Sequence, residues 1–284
     1  MHARRHTLGD GTVATIESFA AGPEAPLVHF AHATGMCAAL YRPLLDRLAG
    51  HVNVVASDAR GHGATTLPAD PARLRDWDGY AADLGTLLDA LPPAPRVVLA
   101  GHSMGATVSM LLAARRVPSV AAVVMIEPAF VPLDAAAAWV ATPLANPLAQ
   151  QAARRRGSWP SRDAMRAAYR GRGVFARWAD ADLDAYLAGG VRDCDDGTVE
   201  LACAPAWEAA TFSAVSAGMA AALATFRGPL ALLHGTTGST VTADDAATIA
   251  LRPETTVRHF ADGDHFVPLA ETAAMADAIL ALAR

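Results

Sequence analysis

The sequence predicts an α/β fold: a doubly wound, mostly parallel sheet with a helical insertion. Three observations carry that expectation. Short apolar runs rich in Val, Leu and Ile alternate with helix-like stretches. Most of these runs are apolar on both faces. One long segment, 130–225, breaks the alternation. Strands covered by helices on both sides read as continuous apolar runs. Strand–helix alternation predicts right-handed crossovers between parallel strands.

In chain order, the first twenty residues can add one or two antiparallel edge strands, with "GDG" (9–11) as a turn. "PLVHFAHA" (26–33), "VNVVASDA" (52–59), "RVVLAGHS" (96–103) and "AAVVMIEP" (121–128) read as strands, separated by helices over 40–48, 79–91 and 104–115. After the break, "PLALLHGT" (229–236) and "TVRHFADG" (256–263) are strands, with helices over 243–251 and 269–283. This divides the chain into a core of 1–129 and 226–284 and a helical cap of 130–225. Trp139, Trp159, Trp178 and Trp207 all fall in the cap, as expected of an insertion packed over a sheet. Within it, "DCDDGTVEL" (193–201) reads as a turn followed by a short strand.

Composition narrows the function classes. At 284 residues the chain can bury about three quarters of its unfolded surface. Hydrophobic residues are 52% and charged residues 18%, which excludes a disordered chain. The net charge of −5 argues against a nucleic-acid partner. The run Arg154–Arg156 reads as a solvated helix end, with an anion site as the alternative. Cys37, Cys194 and Cys203 fit no disulfide framework or zinc pattern, and no His/Asp cluster has ligand spacing, so neither a disulfide nor a metal is expected. "MHARRHTLGDG" lacks the apolar stretch of a signal peptide, and no apolar run approaches the ~20 residues of a membrane span. The expectation is a soluble, cytoplasmic protein acting on a small molecule; an apolar cap is also compatible with a homodimer face.

The chemistry centres on "GHSMG", Gly101–Gly105. It fits G-x-S-x-G, and it follows a strand and opens a helix, the context that gives the motif meaning. The tight turn needs small residues two before and two after the serine. It lifts Ser103 above the carboxyl ends of the strands. A serine hydroxyl needs a base, and "DGDHFVPLAE" (262–271) supplies His265 in the loop after the last strand. His234, at a strand end, is the rival. His32 and His102 sit at the backbone turns of their motifs, and His62 in the "RGHG" loop. An attacked carbonyl becomes an oxyanion, and the N–H of Met104, at the start of the helix, is one donor for it.

With "AHATGM" (31–36) and "SDARGHG" (57–63) added, in this order and on these elements, the chain resembles a cap-bearing serine esterase of the α/β-hydrolase family over nearly its whole length. The resemblance implies a cofactor-free nucleophile–acid–histidine hydrolase. It also implies a second oxyanion donor in the loop His32-Ala33-Thr34-Gly35. Thr34 occupies the donor position, with Ala33 as the alternative because the family's second glycine and its proline are absent. Asp58 and Arg60 read as residues that tie loops together.

The acid is displaced. The family's usual position, the loop after strand 229–235, holds Gly238, Ser239 and Thr240. Asp244 and Asp245 come later, and Thr242 with Asp245 resembles a helix capping pair. Glu127 ends the apolar strand that follows the nucleophile helix, where a buried carboxylate needs a partner. Some haloalkane dehalogenases carry their acid there. Glu127 is therefore the candidate acid, with Asp244 or Asp245 as alternatives. Met36, Cys37 and Trp139 are candidate pocket residues, Cys37 as packing more than as a thiol. The expected activity is hydrolysis of a small or medium apolar ester through an acyl-enzyme. C–C bond, lactone or thioester cleavage and acyl transfer would use the same machinery, and a non-catalytic receptor is a further alternative. Ser103 is incompatible with the aspartate chemistry of a dehalogenase or epoxide hydrolase.

Overall fold

The computed structural model describes residues 1–116, 119–131 and 146–284. Trp139 lies outside them. The main sheet contains β1 (His2–Leu8), β2 (Gly11–Ser18), β3 (Leu27–Ala31), β4 (Asn53–Ser57), β5 (Val97–His102), β6 (Ala122–Ile126), β10 (Leu230–His234) and β11 (Thr255–His259). Their spatial order is β1-β2-β4-β3-β5-β6-β10-β11. The first two pairings, β1–β2 and β2–β4, are antiparallel and the rest are parallel. The expected hairpin forms at the N-terminus, with Gly9 at φ +59 in its turn. The exposed edge it creates carries Arg4 and Arg5, charges of the kind that discourage edge-to-edge pairing.

Alternation along each strand separates two cores. Val28, Phe30, Val98, Ala100, Val124 and Ile126 face one side, with Leu44, Leu45 and Leu48 of helix α1 (Arg42–Leu48). Leu27, Leu99, Val123 and Met125 face the other, with Leu84 and Leu87 of α2 (Asp78–Ala90) and Met110 of α3 (Met104–Arg115). Strands buried on both sides are what the unbroken apolar runs require.

Between β6 and β10 the described residues include helices α4 (Pro147–Ala153), α5 (Arg162–Tyr169), α6 (Asp180–Gly190), α7 (Pro205–Ser213) and α8 (Met219–Thr225). They also hold an antiparallel three-stranded sheet, β7 (Ser158–Trp159), β9 (Val199–Leu201) and β8 (Val191–Asp193). Val199–Leu201 is the short strand expected after the turn in 193–201, and its partners Val191–Asp193 and Ser158–Trp159 add to that expectation. The segment between β6 and β10 is tied to the rest of the chain by polar contacts of buried aromatic residues. Trp77 Nε1 donates to the Thr211 carbonyl at 3.0 Å, Tyr80 Oη lies 2.8 Å from Thr211 Oγ1, and Trp207 Nε1 donates to the Arg60 carbonyl at 3.0 Å. Trp207 and Thr211 are one helical turn apart on α7 and so share a face. The chain ends in α9 (Ala243–Ala250), α10 (Val267–Ala270) and α11 (Thr272–Ala283). Among the described residues no helix is long and apolar enough to cross a membrane.

The sheet sets the site's location. From β3 the chain winds outward to β4, then returns to β5 on the other side of β3. This reversal puts the loops after β3 and β5 beside each other at the carboxyl edge, where open α/β sheets place their ligands. The register is level there: Ala31 pairs with Gly101, and Gly101 with Met125.

Candidate functional site

Ser103 is the first residue beyond β5. Its N–H donates to the Ile126 carbonyl at 2.9 Å, continuing the ladder one step past the strand. The chain must then reverse into α3, and Ser103 adopts φ +54, ψ −118. A non-glycine residue in that region costs of order 1–3 kcal/mol and persists only where its surroundings impose it. They do so here by close approach. A Cβ on Gly101 would lie 2.4 Å from the Gly105 carbonyl carbon, and a Cβ on Gly105 would lie 2.2 Å from the Ala31 carbonyl oxygen. Both glycines of the motif are therefore sterically required. The second also lets the nucleophile helix press against the end of β3.

Glu127 stands in the same relation to β6. Its N–H donates to the Leu233 carbonyl at 2.9 Å, it takes φ +48, and its side chain is fully buried. Oε1 accepts from Gly235 N at 2.6 Å and Ser239 Oγ at 2.9 Å. Oε2 accepts from Thr240 N at 2.9 Å and lies 3.2 Å from His265 Nδ1; the Thr240 hydroxyl donates to the Glu127 backbone carbonyl at 2.9 Å and lies 3.3 Å from Oε2. Burial pushes this carboxyl up. The His265 hydrogen bond, the donors from Gly235 and Thr240 and the attraction of the His265 ring outweigh burial and hold it at about 2. The loop after β10, which lacks an acid, thus supplies donors to a carboxylate one strand away. Ser239 and Thr240 were not legible as site residues, because hydroxyls and backbone N–H groups in a loop carry no signature until a carboxylate is placed among them.

His265 reaches this carboxylate by crossing the end of β10. Thr236 N and Thr237 N both donate to the Gly263 carbonyl, at 2.8 and 3.0 Å. A Cβ on Gly235 would lie 2.6 Å from the Gly263 carbonyl carbon, so the crossing depends on two glycines in contact. The insertion grips the same loop. Arg177 Nη2 donates to the Asp262 carbonyl at 3.0 Å, and the Trp178 and Phe266 ring centroids are 5.0 Å apart. Among the described residues, no hydrogen bond joins Ser103 Oγ to His265. Catalytic contacts of this kind often tighten only when substrate binds.

The loop after β3 is held from below. Asp58 accepts from Ala38 N and Ala64 N, at 2.8 and 2.9 Å. His62 Nε2 accepts from Gly35 N at 3.0 Å, and His32 Nε2 accepts from Ala59 N at 2.9 Å. Burial, then the neighbouring His32, drives His62 down to about 3, so it serves as a neutral acceptor. Within the loop, Ala33 N donates to Tyr41 Oη at 3.3 Å and Met36 N to the Ala33 carbonyl at 3.1 Å. Among the described residues the Thr34 N–H has no acceptor. The Met104 N–H, at the first helical position, lies ahead of the helix's own hydrogen bonds. Thr34 is buried at the same edge.

Other expected residues fall elsewhere. Thr242 and Asp245 form a reciprocal capping box at α9, and Asp244 is exposed beside it. His234 Nδ1 lies 3.1 Å from the Gly235 carbonyl, and its ring packs 4.9 Å from that of His259. Met36 is buried. Cys37 has no exposed surface. It packs under α6, where a Cβ on Gly189 would lie 2.9 Å from its sulfur, and burial pushes its thiol up to about 12. It is a packing residue, which corrects its assignment to the pocket. The Arg154–Arg156 run is not simply a solvated end either. Arg155 Nη1 donates to both carboxylate oxygens of Glu208 at 2.8 Å, and Nη2 donates to Tyr186 Oη at 3.0 Å. This pair sits against Gly35, whose Cβ would lie 2.3 Å from Glu208 Oε1. Among the described residues no group of three or more His, Cys, Asp or Glu side chains is placed to hold a metal ion.

Residues 30–278 match the sequence model of the alpha/beta hydrolase family. The chain belongs to the α/β-hydrolase family. This α/β hydrolase is 34% identical over 102 residues to 2-(acetamidomethylene)succinate hydrolase of Mesorhizobium japonicum, a stretch covering 36% of this chain and 35% of that protein. It is 35% identical over 95 residues to (E)-2-((N-methylformamido)methylene)succinate hydrolase of Acinetobacter baylyi, covering 34% of each. The matched stretch is thus about a third of either relative's length. Among solved structures, E-2-(acetamidomethylene)succinate hydrolase superposes over 99% of this chain and 98% of its own, with TM-score 0.74 and 25% identity. The thioesterase domain from the curacin biosynthetic pathway superposes over 99% of each chain with TM-score 0.78 at 17% identity, a likeness of fold. The chain has the mostly parallel sheet of that family.

Proposed function

We propose that this α/β hydrolase is a serine esterase that cleaves small or medium apolar esters through an acyl-enzyme. The observation that carries the reading is the His265–Glu127 contact of 3.2 Å at a fully buried carboxylate, one strand from Ser103 on its strained turn. In this reading Ser103 Oγ attacks the ester carbonyl while His265 Nε2 takes its proton. Glu127 fixes the Nδ1–H tautomer and stabilises the imidazolium. The N–H groups of Thr34 and Met104 receive the oxyanion. The imidazolium returns its proton to the leaving alcohol, and water then repeats the sequence on the acyl-enzyme with His265 as base. The insertion acts as a cap over 130–225. The substrate is a small molecule and the protein a cytoplasmic one.

Turnover of nitrophenyl esters of graded acyl length, with Ser103→Ala as control, tests the reading. Hydrolysis of the shorter esters, lost in Ser103→Ala, is expected. Activity surviving in Ser103→Ala excludes the serine mechanism.

A second reading is favoured by the relatives' names: cleavage of an acylamino compound on the same machinery. It requires recognition of a dicarboxylate. The arginine beside the oxyanion loop, Arg155, is already matched by Glu208. That pairing favours the neutral ester as substrate. Faster turnover of an acidic N-acyl substrate than of any ester would reverse the preference.

A further inference from the structure

His102 precedes the candidate nucleophile and takes no part in the proton transfers described above. It is nonetheless fully buried, and both ring nitrogens are engaged. Nε2 lies 2.7 Å from the backbone carbonyl oxygen of His265, and Nδ1 lies 2.7 Å from Tyr41 Oη. Tyr41 closes the short 3-10 helix Ala38–Tyr41, is 1% exposed, and its Oη accepts the Ala33 N–H at 3.3 Å. A single unbroken chain of contacts thus joins the oxyanion loop, the residue before Ser103 and the backbone of His265.

Chemistry fixes the direction of that chain. A carbonyl oxygen only accepts, so His102 Nε2 must carry hydrogen. Burial, then the proximity of His265, drives His102 down to about 3, so the ring is neutral and its Nδ1 is an acceptor. Tyr41 must therefore donate its only proton to Nδ1, which leaves its oxygen free to accept from Ala33. Burial also pushes the Tyr41 phenol above its ordinary range, so the proton is retained. Every donor has one acceptor, and with a neutral His102 ring no other arrangement of these protons satisfies all three bonds.

We infer that Tyr41 and His102 are positioning residues that align the oxyanion loop and the His265 loop on the nucleophile turn. The consequence is specific. Engagement of the Ala33 N–H by Tyr41 leaves the next one, on Thr34, without a competing acceptor, which selects Thr34 as the oxyanion donor. At the other end, the bond to the His265 carbonyl places that ring, whose centroid is 4.8 Å from that of His102. The cross-link acts on geometry at the transition state more than on substrate affinity.

This inference rests on the serine-esterase reading, and the test separates the two. Tyr41→Phe removes one oxygen and keeps the ring packing. With a nitrophenyl ester it should lower kcat ~10²-fold, the scale of a displacement of about 1 Å, with KM changed less than about threefold. Affinity for an arylboronate, which mimics the tetrahedral intermediate, should fall in parallel with kcat. His102→Gln, whose amide can reach the His265 carbonyl but not Tyr41, should reproduce the effect if Tyr41→Phe does not fold. In the wild-type protein, ¹⁵N-resolved imidazole NMR should report His102 as the neutral Nε2–H tautomer from pH 5 to 8. A folded Tyr41→Phe with wild-type kcat and boronate affinity, or a His102 ring protonated at Nδ1, overturns the inference. Ser103→Ala measured alongside identifies the other failure: if it keeps full activity, the esterase reading itself falls, whatever the NMR shows.

Discussion

Glu127→Gln is the sharpest perturbation available. The substitution conserves shape and removes charge. In the structure four donors surround the carboxylate: Gly235 N and Ser239 Oγ at Oε1, and Thr240 N and His265 Nδ1 at Oε2. A glutamine must point its NH₂ at one of these sets. If it faces Thr240 and His265, the imidazole has to give up its Nδ1 proton, and the tautomer that remains cannot accept from Ser103. If it faces Gly235, its NH₂ meets the Gly235 N–H in place of the oxygen that now accepts it at 2.6 Å, and an unpaired buried donor costs about 1–3 kcal/mol. Neither orientation stabilises an imidazolium. The same acid-to-amide change in a comparable triad costs ~10⁴ in kcat, or about 5–6 kcal/mol of barrier. The assay is kcat for a nitrophenyl ester on protein whose fold is verified by circular dichroism. Asp244→Asn should stay near wild type. Asp245→Asn should lose about 1 kcal/mol of stability with its capping box, but little activity. A folded Glu127→Gln within tenfold of wild-type kcat would refute the assignment.

Three other outcomes follow from the same contacts. Glu127 has its carboxyl lowered from an ordinary 4.5 to about 2. It therefore contributes stability that is full above about pH 4.5 and is lost as pH falls toward 2. The urea midpoint should decline through that window, and less steeply in Glu127→Gln. Breaking the Arg155–Glu208 pair from one side, with Arg155→Met or Glu208→Gln, should cost about 3–5 kcal/mol. The double variant Arg155→Met/Glu208→Leu should lose less than the sum of the singles, read from denaturation midpoints. Gly105→Ala should destabilise the protein by about 1–3 kcal/mol and depress esterase activity, because its Cβ would fall 2.2 Å from the Ala31 carbonyl oxygen and push the oxyanion strand off the nucleophile helix.

Much of the core was legible because its signals are local. The strand runs carry their own apolar patterns, and "GHSMG" encodes a turn whose glycines are needed within a few residues of the serine. Glu127 could be singled out because a carboxylate ending an apolar strand demands a partner, and the structure sets it against His265. The insertion was less legible because its determinants lie far apart in the chain. The two-residue strand Ser158–Trp159 has no period to detect and exists only by pairing with Val199 and Glu200. Arg155 looks solvated until Glu208, 53 residues later, folds against it. Cys37 follows the oxyanion loop and suggested a pocket wall, yet α6 covers it, and nothing in the residues nearby announces that contact. His102 lies in the motif's turn, where its neighbours in sequence give no sign of a distant partner. Its hydrogen bond to the backbone of His265 spans 163 residues.

The most direct measurement is covalent trapping of the folded protein with a fluorophosphonate, followed by peptide mapping of wild type and Glu127→Gln. The account predicts a single adduct on Ser103, formed rapidly in wild type, far more slowly in Glu127→Gln, and absent after denaturation. A folded wild-type protein that forms no adduct, or forms it at another residue, would contradict it.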